Sequence, residues 1–264
     1  MYFFWILLFF IFVPIPIIFI WSFSNAWPWP HLLPTNVGLR GWKYFINPRT
    51  KSIIILFVSI LISMMVTILV FLLTIPASKA LAFHDFKGKR LVELLLLSPL
   101  VVPAVSIGMG VHIGFIKLGL ANTYFGVILI HAFPCIPYAV RLLKAGYEII
   151  GVDIESQARV LGASPIRTFI YITLPMLSPA VLTSGVLIFI VSFSQYFLTF
   201  LIGGGKVITF PMLMIPFIQS GDRMTGSVFS IVFVTIAITI LFISEKLLVN
   251  YYRKTIGGGR VVDT

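Results

Sequence analysis

Acidic residues and long polar runs are what this chain has least of. Of 264 residues only 8 are Asp or Glu, against 19 Lys or Arg, and charge is missing altogether from 1–39, 52–78, 94–116, 118–140, 168–205 and 224–244. That pattern excludes a soluble domain, because 10% charged residues cannot solvate the surface of a chain that is 59% hydrophobic. The apolar runs hold no pair of carboxylates, which argues against a proton-driven carrier. The single cysteine, Cys135, rules out an intrachain disulfide. No G-x-x-x-x-G-K-[ST] stretch occurs, so a phosphate loop of that kind is missing too. A membrane enzyme would need paired acids, a metal cluster or a nucleophile with its base, and none of these is visible.

What the chain does have is length of apolar sequence. Each gap holds the roughly 20 residues that cross a hydrocarbon core of about 30 Å. The runs are continuous rather than alternating, which selects helices over a barrel. Six spans are predicted, at 2–23, 53–75, 92–115, 124–142, 177–200 and 228–249, in an all-α polytopic membrane domain covering 1–264. Its core helices lie within 53–249, and the first helix is peripheral. That first run lacks a charged leader and exceeds a typical signal core, which argues against a signal peptide, while the small residues Ser22, Ser24 and Ala26 leave cleavage open.

Placing both termini, loop 76–91 and loop 141–176 inside puts 12 basic residues there and 7 outside, which sets the orientation. The net charge of +11 is scattered over short loops rather than gathered in a stripe. It reads as anchoring at the lipid surface, not as a nucleic-acid footprint.

Some spans carry weakly polar positions at helical spacing. Ser184, Ser192, Gln195 and Thr199 fall on one face of the fifth, and His112 and His131 lie in the third and fourth. Small and hydroxyl residues in lipid mostly mark helix–helix contact. The alternative is a solute path along 184–199, supported by Gln195, whose primary amide is costly against lipid. The two histidines pose the same choice, between packing residues with a hydrogen bond and ligands or relay groups.

The longest polar interruption is "VDIESQARVLGASPIRTFIYITLP" at 152–175. Asp153 suits an N-cap, and Glu155 in the first turn complements the helix dipole. The helix runs to Gly162, a favoured terminator. Ser164 then caps a second helix with Pro165 at its first position, ending at Leu174-Pro175. Ile154, Ala158 and Leu161 recur at spacings of four and three, giving the first helix one apolar face in need of a partner.

The stretch "ESQARVLGASPIRTFIYITLP" resembles the EAA loop of binding-protein-dependent ABC importer permeases, at Ala158, Leu161, Gly162, Ala163, Ser164, Phe169, Ile172, Leu174 and Pro175. Ser156 and Gln157 occupy the positions where that pattern has Glu and Ala, and Glu155 stands one residue early. "LLLSPLVVPAVSIGMG" at 95–110 and "GGGKVITFPMLMIPFIQSGDRMTGSVFS" at 203–230 extend the likeness over most of 52–249. The resemblance implies a type I importer permease (MetI-like) fold in a bacterial inner membrane, with both termini cytoplasmic. The group it points to handles polyamines, thiamine, ferric iron and related small solutes. It implies two ABC ATPase subunits, which bind ATP and Mg2+ while this chain binds no cofactor. A second permease, sister chain or copy, and an external solute-binding protein complete the set. Asp153, Glu155, Ser156, Gln157, Ala158, Leu161, Gly162, Ala163 and Ser164 would form the element that docks on the ATPase. A channel or ion-driven carrier is the competing reading, distinguished by the absence of an ATPase partner.

Overall fold

The computed structural model describes Trp5, residues 13–28 and residues 30–256, with backbone alone at 248 and 251–256. Its helices are α1 (Pro14–Trp21), α2 (Arg40–Ile46), α3 (Ser52–Phe83), α4 (Lys89–Leu97), α5 (Ala104–Lys117), α6 (Tyr124–Ile150), α7 (Asp153–Val160), α8 (Pro165–Thr168), α9 (Leu174–Phe193), α10 (Phe197–Gly203), α11 (Phe210–Gln219) and α12 (Arg223–Ile256). Two short antiparallel strands, β1 (Ser24–Ala26) and β2 (Asn36–Val37), form the one sheet among the described residues. The chain divides into two compact units, 1–60 with 208–238, and 61–207 with 239–264.

In the first unit the chain after α1 folds into the β1–β2 hairpin and α2. Its core is aromatic. Phe45 and Phe210 pack on Phe229 at centroid distances of 5.4 and 5.3 Å, and Phe217 stacks on the same ring at 5.4 Å. Edge-to-face and offset pairs of this kind add to the area they bury. Gly41 lets α2 approach α12 closely, since a Cβ there would lie 3.2 Å from the Met224 carbonyl oxygen. The Ser59 hydroxyl accepts the Phe210 backbone N–H at 2.7 Å and so caps α11. A solvent-open cavity of about 560 Å³ runs between Trp21, Trp27, Arg40, Asp222 and Arg223.

The second unit is built on α6 and α9. Val127, His131, Cys135, Ala139, Leu143 and Tyr147, four residues apart, make one buried stripe on α6. Gly146 brings the two helices together, because a Cβ there would meet Ala180 and Leu177 at 2.7 and 2.9 Å. Close approach at small residues is how helices associate when lipid removes the hydrophobic drive. Pro76, Pro134, Pro137 and Pro179 lie inside helices, as transmembrane segments tolerate.

Four described helices are long and apolar enough to cross a membrane, Ser52–Phe83, Tyr124–Ile150, Pro165–Phe193 and Arg223–Leu247, with a fifth candidate in the bent pair Lys89–Leu100 and Ala104–Lys117. Several boundaries therefore differ from expectation. Of the first predicted span, 2–23, residues 2–4 and 6–12 lie outside the described residues, and the remainder holds α1. The third is broken by a bend of 102° where Pro103, without an N–H, sits extended before α5. The fifth, predicted at 177–200, ends at Phe193 and resumes as α10. Loop 76–91 is helical to Phe83, and loop 141–176 begins with α6 running on to Ile150. Apolarity marks where helices lie; it is blind to polar turns that extend them.

A candidate coupling segment and two buried polar nodes

Residues 151–175 form the helix–glycine–helix unit expected from the sequence, with changes in detail. Gly151, at φ 77°, ends α6 and starts α7. Asp153 is the first residue of α7 and not its N-cap: Val152 precedes it in helical conformation, without a side-chain cap. Asp153, Ser156 and Gln157 are exposed, and the Ser156 hydroxyl donates back to the Val152 carbonyl at 3.1 Å. The end of α7 is a Schellman turn. Gly162 at φ 86° donates its N–H to Arg159, and Ala163 donates to the Ala158 carbonyl at 3.0 Å. Space around the Gly162 α-carbon is open, so the backbone angle alone requires glycine. Ser164 caps α8, accepting the Arg167 N–H at 3.4 Å, with Pro165 at the first position as the sequence indicated.

The second helix does not stop at Leu174-Pro175. A π-helical turn over Phe169–Thr173 joins α8 to α9, with Leu174 donating to the Phe169 carbonyl five residues back. The wider turn accommodates Pro175, which has no N–H to offer. From Pro165 to Phe193 the chain is one continuous rod.

The apolar face assigned to Ile154, Ala158 and Leu161 is divided. Ala158 is buried, Ile154 half-buried, and Leu161 is 87% exposed. What turns inward instead is Glu155, 5% exposed. Its Oε2 accepts Lys79 Nζ at 2.6 Å, its Oε1 accepts the Thr173 hydroxyl at 2.8 Å, and Arg159 stands 3.8 Å off. Burial pushes the Glu155 carboxyl up, but the hydrogen bonds from Lys79 and Thr173 and the two nearby cations outweigh it and hold the group below the usual carboxylate range. A buried carboxylate with a direct cation and a hydroxyl donor is satisfied, and α7 rolls to achieve it. The outward surface is left with Ile149, Val152, Val160, Leu161 and Ile166, of which Ile149, Val160 and Leu161 are each more than 85% exposed. Lys79 lies 76 residues from Glu155, and no local sequence pattern connects them. Beside this node an apolar cavity of about 480 Å³ opens between Phe71, Pro76, Lys79, Tyr147 and Phe169.

The polar stripe on the fifth span meets His131. Its Nδ1 lies 3.1 Å from the Ser192 hydroxyl and its Nε2 2.8 Å from that of Thr199. Thr199 donates its own proton to the Gln195 carbonyl at 3.0 Å, so it accepts from Nε2–H. Nδ1 then accepts from Ser192, a neutral imidazole with both nitrogens used. His131 thus pins α6 across the break between α9 and α10. Ser184 bonds its own helix at Ala180, Gln195 is half-buried at the break, and His112 is half-buried on α5, apart from this node. No group of three or more metal-ligating side chains occurs among the described residues.

These features define the class: a polytopic, predominantly helical membrane protein with a short polar helix–turn–helix between two of its spans. Residues 75–254 match the family of binding-protein-dependent transport system inner membrane components, and the chain belongs to that family. It is 30% identical over 199 residues to the molybdenum transport system permease protein ModB of Haemophilus influenzae, covering 69% of this chain and 87% of that one. Over 154 residues it is 28% identical to the putrescine transport system permease protein PotI of Escherichia coli, covering 56% and 55%. The molybdate/tungstate transport system permease protein WtpB of Pyrococcus abyssi is 31% identical over 113 residues, 43% of this chain and 45% of the relative, so that match spans less than half of its length. Among solved structures, a chain of a bacterial ABC transporter involved in import of the acidic polysaccharide alginate superposes with a TM-score of 0.73 over 91% of this chain and 92% of its own, at 17% identity, a likeness of fold.

Proposed function

We propose that this chain, as the permease subunit of an ATP-driven importer, lines the solute path and receives the stroke of a cytosolic ATPase on residues 153–164. The observation that carries this reading is the exposed apolar surface at Val160 and Leu161 beside the φ 86° turn at Gly162. An apolar patch on a polar segment outside the spans calls for a protein partner. The full assembly has two ATPase subunits, a second permease, sister or copy, and an extracytoplasmic solute-binding protein, in a bacterial inner membrane with both termini cytoplasmic. Residues 1–264 act as one permease domain, and the 184–199 face with His112 and His131 borders the path. ATP and Mg2+ sit on the partner.

A small oxyanion fits as solute better than a polyamine, thiamine or ferric iron. The named relatives divide between molybdenum or molybdate/tungstate systems and a putrescine system. Asp85, Glu93, Glu148, Glu155 and Asp222 are all already paired with lysine or arginine. A cationic solute would find few free carboxylates along such a route. Cells with and without this chain, assayed for uptake of labelled molybdate and of putrescine, decide between them; putrescine uptake that depends on the chain would reverse the assignment.

The coupling role is tested with Gly162→Val. A β-branched residue cannot hold φ 86° without strain. Solute-stimulated ATP hydrolysis and transport should both disappear while membrane insertion is normal. Wild-type transport by this variant would refute the role given to 153–164.

A further inference from the structure

Glu155 does more than satisfy itself. Its two oxygens face two different spanning helices, Lys79 near the end of α3 and Thr173 in the π turn that leads into α9. We infer that Glu155 is a positioning residue, a latch through which displacement of α7 is delivered to both spans at once. This rests on the coupling role proposed above for 153–164.

The covalent route from α7 to α9 passes through Gly162, Ala163 and Ser164, a turn with open space at its glycine. Such a turn bends before it pushes. The route to α3 has no short covalent path at all, since 76 residues separate Glu155 from Lys79. A carboxylate that bridges the middle of α7 to both helices bypasses the soft turn and supplies the missing connection. Its burial matters: a pair whose carboxylate side chain is 7% exposed is screened far less than the surface pair Asp85–Lys89, where the acid is 99% exposed. The outward residues Val160 and Leu161 stay free for a partner while Glu155 holds the inner face. Docking and transmission thus use opposite sides of one eight-residue helix.

The test reconstitutes the chain with its partner subunits in proteoliposomes and measures solute imported per ATP hydrolysed. The variants are Glu155→Gln, Lys79→Gln and the double change, and each is checked for co-purification of the ATPase. Each single variant should retain the ATPase and lower the import ratio about tenfold, within the range that coupling interactions span. The double should be no worse than Glu155→Gln alone, because the one contact that Lys79→Gln removes is already altered there. An unchanged ratio in the singles, or losses that multiply in the double, would overturn the latch. If the unaltered chain brings down no ATPase, it is the coupling role itself that fails. Reduced ATPase recovery in the singles would show Glu155 to be part of the docking surface, which also overturns the latch.

Discussion

The second unit contains two buried polar nodes that solve the same problem differently. At His131 a neutral ring is held by two hydroxyls; at Glu155 a charge is held by a lysine and a hydroxyl. The first lies within the spans, where ionisation is heavily penalised and hydroxyls suffice. The second lies at the end of the spans, where Lys79 keeps 29% exposure and its ammonium stays partly hydrated. The neutral clamp fixes geometry, and the charged one adds strength that depends on both partners being present.

That contrast can be broken from either side. The largest effect is expected at the ionic node. Lys79→Met strands the Glu155 carboxylate and should destabilise the chain by about 2–3 kcal/mol, under the full cost of orphaning an enclosed charge because the lysine is partly exposed. Chemical denaturation in detergent measures it, and a loss no larger than that of a surface lysine would show the carboxylate to be hydrated. Next comes His131→Leu, which keeps bulk but leaves the Ser192 hydroxyl without its partner, for roughly 1–2 kcal/mol. The same assay applies, and an unchanged midpoint would mean that Ser192 finds another acceptor. The smallest effect separates the nodes by pH. Because the folded Glu155 carboxyl is held low, its stabilisation is present above the unfolded value of about 4.3 and disappears as pH falls through the lower, folded value. Thermal midpoints should therefore stay level from neutral pH to about 5, and the acid-side decline should be shallower in Glu155→Gln.

How much of this was legible in advance depended on whether the signal was local. Missing charge located the helical runs. Gly162, Ser164 and Pro165 announced their turn, because each acts through its own backbone angle or its neighbours' N–H groups. The inward roll of α7 was hidden, since Ile154, Ala158 and Leu161 looked like the buried face, and the partners that draw Glu155 inside, Lys79 and Thr173, both lie outside α7. The His131 contacts were half-visible as a stripe awaiting a partner. The break after Phe193 was not, for Ser194, Gln195 and Tyr196 include neither glycine nor proline. The π turn escaped for a similar reason: Pro175 reads as a stop unless the turn before it is free to widen.

The bend of 102° between Leu100 and Ala104 places a helix start amid apolar sequence. The first amide hydrogens of a helix have no carbonyl behind them, and hydrocarbon offers none in exchange. If that short stretch meets water, deuterium should reach the amides of residues 104–106 well before those in the middle of α6; slow exchange there would show that polar protein roofs it instead.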